Sequence, residues 1–190
     1  HPFQIAFFRA SLGLIVLSPI ILRNRFAILR TSKIKLHALR GLLNAGAMLC
    51  FFYGLSITPL AQVTALSFAV PLFATLFAVL LLREIIKIRR ITALLIGFFG
   101  TLVIIRPGLI DFGLGPILIL SQAIIWSLAL MVIKVLTRTD SSLTIAIYAS
   151  IFLSPMVLIA AIPVWQSPTV YQLILMLIIG TFGTIAQTLM

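Results

Sequence analysis

The chain has 190 residues, of which 62% are apolar and 9% charged, with 14 Lys and Arg against 3 Asp and Glu. A soluble domain is nearer half apolar and a quarter charged, so composition excludes a single soluble core and points to an all-α, multi-span membrane protein. The formal net charge of +11 falls in short clusters between apolar runs. That is a topology signal, and nucleic acid is excluded as a partner.

The first predicted helix runs from about Phe3 to Leu22 and carries Arg9 near its start. A basic loop follows, with Arg23, Arg25, Arg30, Lys33, Lys35, His37 and Arg40. The second helix spans about Gly41 to Ile57 and contains Asn44 and the lone cysteine, Cys50, read as a packed thiol. The turn Thr58-Pro59-Leu60 leads into the third, Ala61 to Leu82, about the length needed to cross a hydrocarbon core of roughly 30 Å. Pro71 lies at its centre. It removes one N–H and releases the carbonyl of Ser67 one turn back, which a neighbouring helix, a wet cavity or a substrate must satisfy. A plain packing kink is the alternative.

The turn Arg83 to Arg90 holds four basic residues and Glu84. The fourth helix, Ile91 to Ile105, ends at Arg106-Pro107-Gly108, and a loop with Asp111 follows. The fifth runs from about Leu114 to Val135, with Ser121, Gln122, Trp126 and, at its end, Lys134. After the polar loop Thr137 to Ser142, the sixth covers Leu143 to Trp165 and contains Tyr148; the seventh starts near Tyr171. The chain begins at His1 and stops at Met190 within an apolar run, so a piece of a longer protein is expected, with no signal peptide at its start.

The loops after the first, third and fifth helices carry twelve of the 14 Lys and Arg residues. The positive-inside rule therefore places loops 23–40, 83–90 and 136–142 in the cytoplasm. Leu17-Ser18-Pro19 in the first helix recurs as Leu153-Ser154-Pro155 in the sixth. These helices run in opposite directions, as inverted repeats would.

Pro71 among small residues, Leu80-Leu81-Leu82-Arg83-Glu84, Arg89-Arg90, Gly97, Gly100 and Arg106-Pro107-Gly108 together resemble the EamA-type module of the drug/metabolite transporter superfamily. Phe7-Phe8-Arg9 fits the module's second helix, and Ala123-Ile124-Ile125-Trp126 with Lys134 fits the first helix of a second module. One departure is Arg83, where the family often has glycine. The resemblance implies a helical bundle of two inverted five-helix repeats. On that map residues 1–108 are helices two to five of the first repeat, and 109–190 are helices six to eight. It also implies movement of small metabolites, amino-acid-like or otherwise amphipathic, across a bacterial inner membrane.

The candidate substrate-pathway residues are Arg9, Asn44, Ser67, Pro71, Gln122, Trp126 and Tyr148. Arg9 would orient an anionic group or hold an outer gate, against snorkelling to the interface. Asn44, Gln122 and Tyr148, with Ser121, would line the path, against service as interhelical glue. Trp126 lies mid-span, away from the interfacial belt, and lines a cavity or packs. Ala61, Ala65 and Ala69 form a small-residue ridge, and Gly97 with Gly100, like Gly180 with Gly183, reads as helix packing.

The three acids, Glu84, Asp111 and Asp140, all fall at predicted membrane edges. With no internal carboxylate for ion coupling, a facilitator, exchanger or exporter is expected. No catalytic motif, metal spacing or cofactor fingerprint is present. An enzyme acting on lipid-linked substrates and a non-transporting scaffold remain the alternatives. The expected partners are the lipid bilayer and a small-molecule substrate, with a homodimer left open.

Overall fold

A computed structural model describes residues 1–23, 31–85, 87–105 and 113–189. The predicted loop residues Arg25 and Arg30, the Arg106-Pro107-Gly108 motif and Asp111 lie outside the described residues. Every described element is helical: α1 (Pro2–Arg23), α2 (Ile34–Ile57), α3 (Leu60–Ser67), α4 (Ala69–Leu82), α5 (Ile88–Ile105), α6 (Leu114–Leu136), α7 (Ser142–Ala161) and α8 (Val170–Leu189), with one turn of 3-10 helix at Ile162–Val164. Among the described residues four stretches are long and apolar enough to cross a membrane: Ile34–Ile57, Leu60–Leu82, Leu114–Leu136 and Ser142–Val164. Shorter apolar stretches cover Pro2–Ile15 and Val170–Phe182. Large apolar side chains such as Ile96, Phe99 and Val103 on α5 point outward, as they do where the solvent is hydrocarbon.

The chain divides into two compact units, one of His1–Ala45 with Val132–Met190, the other Gly46–Met131. In the first, α1 packs along α7 and α8. Gly180 presents its bare Cα to Leu12 and the backbone of Arg9, so the expected close approach occurs there. Gln4 is buried and its Nε2 donates to the Gln166 carbonyl at 2.7 Å, fastening the start of α1 beside the α7–α8 turn.

In the second unit Val63 and Leu66 of α3 pack on Ile119 of α6, with Phe51 and Leu55 of α2 against them. Gly54 and Gly115 carry the close contacts of this core, meeting Ile119 and Thr58 respectively. Gly97 and Gly100 do not serve as packing notches: a Cβ at either would meet nothing among the described residues. Ala65 is buried, but Ala61 is exposed, so the alanine ridge is sealed only in part.

Two elements differ from the sequence expectation. The third predicted helix is broken, because the Phe68 turn separates α3 from α4 three residues before Pro71. The second begins at Ile34, a full two turns before Gly41. Lys35, His37 and Arg40 therefore lie on the helix and not in the loop that their charge, which usually ends a hydropathy run, predicts.

Arg83 closes α4 with φ at 52°, and its N–H and that of Glu84 both reach the Ala78 carbonyl. This left-handed conformation is one that glycine adopts without a Cβ clash, which explains physically why glycine would suit the position. Arg83→Gly is expected to raise stability by roughly 0.5–1 kcal/mol. A thermal melt in detergent would show this as a higher Tm, and an unchanged or lower Tm would contradict the strain.

Candidate functional site

The predicted pathway residues fall into separate places. Arg9, Asn44 and Tyr148 belong to the first unit, and Ser67, Pro71, Gln122 and Trp126 to the second.

In the second unit, Ser67 and Pro71 line one open groove of about 480 Å³, together with Phe51, Leu55, Val63 and Phe68. The groove is apolar because its hydroxyls are turned away. Ser67 donates to the Val63 carbonyl at 2.8 Å and Thr64 to that of Ala61 at 2.8 Å. Serine and threonine inside membrane helices often satisfy themselves this way. The surface left behind suits the apolar part of a solute.

The break beside Pro71 is braced from α6. Ser127, fully buried, lies 2.6 Å from the Ala123 carbonyl and 2.9 Å from that of Val70, so its hydroxyl reaches both its own helix and the kinked one. Sequence reasoning passed over Ser127. No local signal pointed to it, because it lies on a different helix 57 residues from Val70. Gln122 and Trp126, one turn apart on the same helix, are half-buried, and the Gln122 Oε1 has no partner among the described residues.

In the first unit, a polar seam runs down one face of α2. His37, Arg40 and Asn44 recur at spacings of three and four, one face of a helix, and are 0%, 3% and 3% exposed. Opposite them stand the α6–α7 turn and the start of α7. His37 Nε2 meets Asp140 Oδ2 at 2.9 Å, and Thr31 donates to the same oxygen at 2.9 Å. The Asp140 side chain is only 6% exposed. It is thus a carboxylate shielded by protein while lying, as expected, at a membrane edge, in the turn between the Leu114–Leu136 and Ser142–Val164 stretches. Arg40 donates through Nη1 to the Ile145 carbonyl. The Tyr148 ring covers the His37 imidazole with centroids 4.6 Å apart, and Phe152 continues the stack.

Gly41 makes the approach possible, since a Cβ there would collide with the Cβ of Phe152. Ser141 caps α7 by accepting from the Thr144 N–H at 3.1 Å, which orients the turn that holds Asp140. The seam is incompletely satisfied. His37 Nδ1, Arg40 Nε and Asn44 Oδ1 are buried with no partner among the described residues. Each such group costs about 1–3 kcal/mol where water cannot reach it. Of the predicted residues, the seam brings together Asn44 and Tyr148. It adds His37, Arg40 and Asp140, which sequence reasoning left in loops.

Comparison with known proteins decides the family. The model of the EamA-like transporter family matches residues 1–106, more than half of the chain. The chain belongs to the EamA-like transporter family. It is 32% identical over 185 residues to an S-adenosylmethionine uptake transporter of Rickettsia bellii (strain RML369-C), covering 97% of this chain and 64% of that protein. It is 34% identical over 161 residues to a riboflavin transporter of Vibrio cholerae serotype O1, covering 84% of this chain and 54% of the relative. The chain therefore spans less than two thirds of the length of these relatives. A solved structure with 16% identity and a TM-score of 0.52 covers 99% of this chain and 87% of its own, which supports the fold alone. With this family and its apolar helices, the EamA-like chain is a multi-pass protein of the bacterial inner membrane.

Two substitutions test the packing. Gly41→Val is expected to cost ~1–3 kcal/mol by overpacking against Phe152. Ser127→Ala, which strips the α6 brace from the Val70 carbonyl, is expected to cost about 1 kcal/mol. Both would lower the Tm of purified protein in detergent, and wild-type melting in either would contradict the contact it removes.

Proposed function

We propose that this chain forms the core of a secondary transporter that moves small amphipathic metabolites across the bacterial inner membrane by alternating access, as an exporter or as a facilitator and exchanger. The observation that carries the reading is the EamA-like family match over residues 1–106. Relatives named as carriers of S-adenosylmethionine and of riboflavin support the substrate class. Each of those molecules joins a flat heterocycle to a polar tail. Such a solute needs apolar surface for one part and hydrogen-bonding groups for the other. The Ser67–Pro71 groove of the second unit offers the first kind of surface.

In this reading residues 1–108 and 109–190 belong to two inverted repeats, loops 23–40, 83–90 and 136–142 face the cytoplasm, and Arg9 anchors an anionic group of the solute. Arg9 lies half-buried in α1 where Gly180 approaches its backbone. Gln122 and Trp126 line the path from α6. Among the described residues no acid lies inside a membrane-length stretch, which supports an uncoupled carrier.

The test is solute flux into vesicles containing the natural protein, with riboflavin, S-adenosylmethionine and radiolabelled amino acids offered separately. The expected result is flux of one solute class that falls about tenfold in Arg9→Ala or Trp126→Ala. No flux of any solute above empty vesicles, from folded protein, would overturn the transport reading. Flux unchanged in both variants would overturn the residue assignment.

A further inference from the structure

We propose that the His37–Asp140 contact, with Thr31 and Arg40 beside it, is a latch that closes the basic-loop end of the first unit and parts when that end opens. The proposal rests on the transport reading above, because only a protein that alternates needs a closure that opens.

Three observations carry it. The first is position. The contact joins residues 103 apart in sequence, one near the start of α2 and the other in the α6–α7 turn. Both lie next to turns, where small changes in backbone angle move a helix end. Thr31, just ahead of α2, grips the same carboxylate oxygen, so Asp140 ties down the approach to the helix as well as its first turns.

The second is chemistry. A closure made of packed leucines opens into water at the full cost of exposing apolar surface. One made of an imidazole, a carboxylate and a guanidinium exposes groups that water solvates well. Here the closed form also leaves His37 Nδ1, Arg40 Nε and Asn44 Oδ1 buried without partners among the described residues. Water entering an open form would satisfy all three. The closed state makes two hydrogen bonds to Asp140 and one from Arg40 to the Ile145 carbonyl, and leaves three buried groups without partners among the described residues, an opposition of terms that a gate between two states requires.

The third is a pivot. One turn deeper than His37, Gly41 lets α2 rest directly on the Phe152 side chain of α7, with no side chain of its own at the contact. A smooth contact of this kind allows α2 to tilt over α7 while the helix end beyond it swings. Tyr148, stacked between His37 and Phe152, keeps the imidazole aimed at Asp140 as the end closes.

The test has two arms, both on the natural protein in vesicles with its cysteines, Cys50 included, replaced by serine. In the first, Asn44→Cys reports opening, because position 44 lies on the latch face one turn beyond Arg40 and is buried. A membrane-impermeant thiol reagent at the basic-loop face is expected to label it about fivefold faster or more when Asp140→Asn or His37→Gln is added. Labelling at the parental rate in both variants would overturn the latch, and two near-isosteric changes guard against one failing to fold. In the second arm, Ser32→Cys with Thr139→Cys, exposed neighbours of Thr31 and Asp140 that leave the latch residues in place, is joined by a short reducible cross-linker. Flux is expected to fall about tenfold and to recover when the linker is reduced. Undiminished flux in the linked protein would overturn the latch and leave transport standing. Absence of flux in the unlinked parent would instead count against the transport reading, with the labelling arm judging the latch by itself.

Discussion

A guanidinium, an imidazole and a carboxamide withdrawn from water on one face of α2 form the constraint to which the first unit is built. A charge in hydrocarbon costs several kcal/mol unless it faces a partner or a cavity. Arg40, His37 and Asn44 therefore require something polar opposite. The α6–α7 turn supplies Asp140 and the start of α7 supplies the Ile145 carbonyl. Several features follow from that need. Gly41 is small so that α7 can come close, Ser141 caps α7 so that the turn is held, and Tyr148 lies flat on the imidazole. The partners come from distant parts of the chain, so the seam ties its early and late portions together.

The second unit solves a different problem with the same chemistry. Breaking a helix at Phe68 and Pro71 frees backbone groups that lipid cannot satisfy. Ser127 of α6 ties itself to the first turn of α4 through the Val70 carbonyl, while the Ser67 and Thr64 hydroxyls donate within their own helix. The result is a kinked span beside an apolar groove, with its hydroxyls spent on backbone.

The helices were legible because lipid demands long apolar runs, and runs of that length leave little ambiguity. The proline break was legible as a disturbance, though not as two helices, since the break falls at Phe68, three residues before the proline that signals it. The family was legible in Leu82-Arg83-Glu84 and its surroundings, and Arg83 turns out to occupy a left-handed position that explains the usual glycine. The seam was not legible. Hydropathy treats His37 and Arg40 as the end of a span, and Asp140 as part of a polar loop. Whether a charge is buried depends on a partner about a hundred residues away, which local pattern does not encode. The spacing of His37, Arg40 and Asn44 was the available clue, and the surrounding lysines and arginines masked it.

The most direct measurement of this account is a double-mutant cycle on His37→Ala and Asp140→Ala, read as unfolding free energy in detergent. The account predicts a coupling energy of about 1–3 kcal/mol between the two sites, with each single variant clearly destabilised. A coupling near zero, with the two effects simply adding, would mean that the buried pair does not hold α2 to the α6–α7 turn, and the seam would lose its place at the centre of the first unit.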